Sequence, residues 1–180
     1  VDSVDCAAAT PHSFHDSPSG NSYVSNILDR ACRVIHPVPK DAGGKESGAY
    51  VSWRLGAGKG LVPNDPYLLV VDYPDDAPRS ATVYNCGAPS RCGFHTGATF
   101  GDAIHAPYVT LYPESYHIPF SDSYQRIEQV MFPCEKPLAY DGSGRLQLAT
   151  DGFDVAFVLF PKADTPGSLG VAVASIRLFR

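Results

Sequence analysis

The sequence predicts an all-β protein, an antiparallel β-sandwich or jelly roll, on three observations. Short segments of alternating or continuous apolar residues recur along the chain, about eight or nine of them. Turn signals rich in Gly, Pro and Asp separate them, and glycine and proline stand at 16 each among 180 residues. No long helical pattern lies between the segments, which argues against a parallel sheet built from βαβ units. A chain of this length forms one domain with enough interior for a real core.

Residues 1–21 are polar and turn-rich and read as a segment ahead of a single domain spanning 22–180. They hold His12 and His15, a metal-binding pair or, more simply, part of a mobile tail. Val24, Ile27, Leu28, Ala31, Cys32 and Ile35 then recur at spacings of three and four, the period of a short N-terminal helix. Ser22 would cap it and Pro37 would stop it; alternatively, residues 32–38 form a first strand.

Strand signals follow. In residues 50–55, Val51, Trp53 and Leu55 face one way and Tyr50, Ser52 and Arg54 the other. Residues 67–73 are nearly continuous apolar, as in a strand covered on both faces. Residues 80–85 come after the turn Pro74-Asp75-Asp76-Ala77-Pro78. Further strands are expected over 107–112, 115–119, 124–132, 146–149, 153–160 and 171–179. Trp53 belongs to the core, whereas Tyr50 on the opposite face is a surface candidate.

Between two of these strands runs Val83–Ala106, VYNCGAPSRCGFHTGATFGDAIHA. A connection of this length without structure of its own is usually functional or disordered, and the alternative is an ordered loop with nothing to bind. It gathers Arg91, His95, Thr96, Asp102 and His105, with Tyr108 just beyond. These six form the candidate ligand-binding set: polar groups to orient hydroxyls, and a tyrosine face to cover apolar CH groups. His95, Asp102 and His105, were they to converge, would suit a divalent metal or a general base, while a loop histidine that simply hydrogen-bonds backbone is the commoner case. His117 reads as half-buried packing, and Asp75, Asp76 and Arg79 as a local turn with a salt bridge.

Composition excludes several classes. A net charge of −5 without a basic run argues against nucleic acid and against an anionic membrane surface. No apolar run approaches a bilayer span. Residues 56–60, GAGKG, lack the spacing of a phosphate-binding loop, and no dinucleotide fingerprint, nucleophile elbow, zinc-protease or calcium-loop motif is present. With no initiator Met and no signal-peptide pattern, the chain reads as a mature or excised segment. Of its five cysteines, Cys86 and Cys92 can bridge across a turn, and Cys6 can reach Cys32 or Cys134. That usage favours a secreted or extracytoplasmic setting.

The order of AYVSWRL, YLLVVDY, a Gly-rich loop, GFDVAFVLF and VAVASIRLF resembles the galactose-binding-domain-like β-sandwiches appended to large secreted bacterial glycoside hydrolases. The resemblance covers roughly residues 50–180 and rests on strand style. It implies non-catalytic binding of a polysaccharide or glycan at rim loops, a tethered catalytic domain, and often a structural calcium ion. Asp141, Asp151 and Asp154, in successive turns, are oxygen ligands of the sort that ion takes. The cysteine-framed loop and the polar N-terminus depart from the family, and its ligand positions find no residue-by-residue match. Two rival readings stand beside it: a jelly-roll polysaccharide lyase or hydrolase with His95 or His105 as base, and a structural accessory domain of a larger secreted enzyme.

Overall fold

In the computed structural model, the residues described are 1–36, 48–62, 65–85, 88–95, 99–100, 116–117, 119–133, 139–140, 146–147, 152–159 and 169–180. For 80, 82, 85, 88–95, 99–100, 116–117, 139–140 and 146–147, only the backbone is described.

Every regular element among them is a strand: β1 Asp2–Asp5, β2 Phe14–Ser17, β3 Ser22–Ile27, β4 Arg30–Ile35, β5 Ala49–Leu55, β6 Tyr67–Pro74, β7 Ser80–Asn85 and β8 Ala88–His95. The chain continues through β9 Thr99–Phe100, β10 Tyr116–His117, β11 Tyr124–Met131, β12 Ala139–Tyr140, β13 Leu146–Gln147, β14 Phe153–Leu159, β15 Val171–Val173 and β16 Ser175–Phe179.

Pairing is antiparallel throughout. One sheet runs β1-β16-β6-β11, a second β2-β5-β14-β7-β8, and a third β15-β4-β3. The first two stack as a sandwich around one apolar cluster. From the four-stranded sheet come Val4, Leu69, Val71, Ile176 and Leu178; from the five-stranded sheet come Val51, Trp53, Leu55, Val83, Val155 and Phe157. Strict alternation puts these side chains inside and their neighbours outside. Trp53 is buried, with its ring 5.3 Å from Phe14 and 6.2 Å from Phe157.

Four expectations are corrected. The N-terminal helix is a β-hairpin instead. Ile27 pairs with Arg30 across a two-residue turn in which Leu28 (φ 48°) and Asp29 (φ 61°) both take positive φ, the type I′ geometry that matches strand twist. Spacings of three and four there were incidental, since Val24 and Leu28 are exposed, Cys32 and Val34 are buried on one face of β4, and Ile35 is buried in the main core.

Residues 1–21 contribute two strands, β1 beside β16 and β2 beside β5, and are no loose tail. The long excursion after β7 is not a free loop along its first half, because β8 returns through residues 88–95 as an antiparallel partner of β7. Finally, Cys6 and Cys32 are both buried free thiols, so no bridge joins them. Cys86, Cys134 and the Cys92 side chain fall outside the described residues, as does the strand expected over 107–112.

The closing strand changes sheets at Ala174. Its N–H donates to the Asp72 carbonyl at 2.9 Å, and its carbonyl accepts the Cys6 N–H at 3.0 Å. β15 thus pairs with β4, and one residue later β16 lies between β1 and β6.

Candidate functional site

The outward positions of the five-stranded sheet meet through register. Ser52 of β5 sits opposite His15 of β2 on one side and Ala156 of β14 on the other, and Ala156 sits opposite Tyr84 of β7. One row along, Tyr50 faces Val158; in the other direction, Arg54 faces Asp154. Two small residues, Ser52 and Ala156, thus sit side by side at the middle of the face, with Tyr84 beside Ala156 and Tyr50 one row along.

The result is a hollow of about 340 Å³ lined by His15, Tyr50, Ser52, Tyr84, Asp154, Ala156 and Val158. Tyr50 is 38% exposed, Tyr84 half-buried and Ser52 buried. At the rim, the Arg54 guanidinium lies 3.4 Å from the Asp154 carboxylate. Two rings with polar tips, an imidazole and a carboxylate around a small-residue floor suit a ligand with apolar CH faces and many hydroxyls.

Of the six residues expected to bind ligand, Arg91 and His95 lie on the backbone of β8, where His95 pairs with Ser80. Their side chains fall outside the description, as do Thr96, Asp102, His105 and Tyr108 entirely. Tyr50 was legible as a surface residue, but Tyr84, Asp154 and His15 were not legible as its neighbours. His12 and His15 do not converge. His12 donates from Nε2 to Asp2 Oδ1 at 3.0 Å, whereas His15 lines the hollow.

That His12 contact is part of a clamp, since Asp2 Oδ2 accepts the Gly56 N–H at 2.6 Å. Burial would raise the Asp2 carboxyl, but the Gly56 and His12 hydrogen bonds outweigh it and hold it below its ordinary 3.8.

No group of three or more His, Cys, Asp or Glu side chains comes together for a metal ion among the described residues. The calcium implied by the resemblance therefore finds no donor set there: Asp154 faces Arg54, and Asp141 and Asp151 fall outside the described residues. Likewise, no helix among the described residues is long and apolar enough to cross a membrane.

No protein-family model matches the chain, and no curated protein matches it. The solved structures it matches include family 35 carbohydrate-binding modules. The native module from Clostridium thermocellum aligns over 92% of this chain and 91% of its own, at 12% identity and a TM-score of 0.45. A module from an environmental isolate aligns over 93% and 92% at 12% identity and 0.35, and one from Paenibacillus barcinonensis over 93% and 98% at 10% and 0.34. At such distances, similarity assigns no function, and the chemistry of the chain's own surface has to carry the reading.

Proposed function

We propose that this chain is a non-catalytic carbohydrate-binding domain that seats a glycan in the hollow between Tyr50 and Tyr84. The observation that carries the reading is the pair of tyrosines that line one hollow with the small residues Ser52 and Ala156. A sugar ring laid there meets aromatic faces, with His15 and Asp154 in reach of its hydroxyls. Glycoside hydrolysis ordinarily needs two carboxyl groups flanking the bond, and among the described residues one carboxylate, Asp154, lines this hollow. Binding is thus favoured over hydrolysis.

In this reading the domain works outside the cytoplasm, tethered to a catalytic unit acting on the same polysaccharide. The excursion holding Arg91, His95, Thr96, Asp102, His105 and Tyr108 adds a second set of contacts at the rim.

Calorimetric titration against a panel of neutral and acidic polysaccharides tests the proposal. Tyr50→Ala and Tyr84→Ala are each expected to weaken binding about tenfold, or ~1.4 kcal/mol, with the melting temperature of the exposed-site variant Tyr50→Ala unchanged. His95→Ala and Tyr108→Ala report on the rim. Loss confined to those two would move the site there, and absence of binding to every polysaccharide would end the reading.

A further inference from the structure

The outer face of the four-stranded sheet, on the far side of the sandwich, carries a second constellation. Register aligns Asp5, Ser175, Asp72 and Arg126 in one row across β1, β16, β6 and β11, and Ser3, Arg177, Val70 and Glu128 in the next. The end of the β3–β4 hairpin brings in Arg30. Its guanidinium lies over the Tyr124 ring, 5.0 Å from the centroid, and the Tyr124 hydroxyl donates to the Ile27 carbonyl at 2.8 Å. Between these groups is a hollow of about 290 Å³ lined by Ser3, Val4, Asp5, Arg30, Asp72, Ser175 and Arg177.

Donors outnumber acceptors here. Asp72 accepts Arg126 Nε at 2.9 Å, Arg177 NH2 at 3.1 and 2.9 Å, and Ser175 Oγ at 2.9 Å. Those contacts fill the roughly four lone-pair sites of a carboxylate. Arg30 is left over, its nearest nitrogen 3.6 Å from Asp72 Oδ2, beyond hydrogen-bond reach. Arg177 Nε is buried with no hydrogen-bond partner. Asp5 gives Oδ1 to the Ala7 N–H at 3.0 Å, and Glu128 lies one row away on β11. A buried guanidinium donor with nothing to bond is the feature an acceptor-rich ligand would complete.

We propose that this hollow binds an oxyanion, a sulfate, phosphate or carboxylate group, between the Arg30 and Arg177 guanidiniums, with the Ser3 hydroxyl at its wall. A planar fork suits such a group because two parallel N–H donors meet two oxygens. The site is independent of the glycan hollow and can stand or fall without it.

The test is a titration of the intact chain with sodium sulfate, and with dextran sulfate beside neutral dextran, at constant ionic strength. Backbone amide shifts are followed in the wild type, Arg30→Ala and Tyr50→Ala. Sulfate is expected to move the amides of Arg30, Ser175 and Arg177, Arg30→Ala to weaken binding at least tenfold, and Tyr50→Ala to leave it unchanged. Among the described residues the Arg30 side chain makes no hydrogen bond, and its carbonyl, which accepts the Tyr124 hydroxyl at 3.2 Å, is kept in the variant. Arg30→Ala should therefore retain the wild-type spectrum away from the hollow and the Tyr124 ring. Tighter binding of dextran sulfate than of free sulfate would assign the oxyanion to a polymer, and equal affinity per sulfate would assign it to a free ion. Amides unmoved by any sulfate source, or an Arg30→Ala variant that binds like the wild type, would overturn the site.

Discussion

Among the described residues, Asp72 is the one on which the most charge converges, with Arg30, Arg126 and Arg177 around it. Burial alone would raise its pKa, but hydrogen bonds from Arg126 and Ser175 and the charge of Arg177 hold the carboxyl below its ordinary 3.8. Its folded value is thus depressed relative to the unfolded chain. The associated stability is present above about pH 4 and is lost as pH falls through the folded value. Asp2 and Asp76 titrate in the same sense, Asp76 because burial is outweighed by its two-pronged pairing with Arg79 at 2.8 and 3.0 Å. Asp72→Asn should cost about 1–3 kcal/mol at pH 7, between the values for exposed and buried pairs, because the arginines are partly exposed. Urea unfolding at pH 7 and then stepwise below pH 4 checks both parts. The variant should show a flatter loss of stability with acid, and a slope as steep as the wild type would remove Asp72 from the account.

At the scale of elements, some strands announce themselves and others do not. β5 is legible because Val51, Trp53 and Leu55 alternate with Tyr50, Ser52 and Arg54, and the buried face of the structure is the one the alternation selects. β6 reads as continuous apolar because Val70 and Asp72, on its outer face, are also covered. The β3–β4 hairpin escapes because its turn is Leu28-Asp29, with none of the Asn or Gly that positive φ ordinarily demands. The glycan hollow escapes for a different reason. His15, Ser52, Tyr84 and Asp154 come from four strands, and only long-range register makes them neighbours. Local periodicity shows which face a residue takes and leaves open which strand lies beside it. The hairpin makes its own prediction: replacing Leu28 by Asn and Asp29 by Gly relieves two unfavourable φ angles and gives up only exposed side chains. A gain of roughly 0.5–1 kcal/mol is expected, read as a higher urea midpoint with the slope unchanged. A loss would mean that Leu28 packs more than its exposure suggests.

For the whole molecule, the decisive feature is that the chain closes on itself at its first strand. β1 completes the edge of the sheet that carries the oxyanion hollow, with Val4 and Cys6 buried in the common core. The Val1 nitrogen donates to the Leu178 carbonyl at 2.8 Å, and Asp2 ties β1 to Gly56 just beyond the end of β5, in the opposite sheet. A short polar segment therefore binds both layers, which a composition-based reading as a tail cannot reveal. Removing residues 1–6 strips two buried side chains, worth about 1.5–3 kcal/mol for a residue such as Val, and uncovers the edge of β16. An uncovered edge invites pairing with another chain. The truncated protein is expected to lose at least ~3 kcal/mol and to associate as concentration rises, by urea unfolding and light scattering. Val4→Ala should account for roughly 2 kcal/mol of that loss without association, because the backbone of β1 still covers the edge. A truncated chain that unfolds at the wild-type urea midpoint would return the segment to the status of a tail and show that it does not link the two sheets.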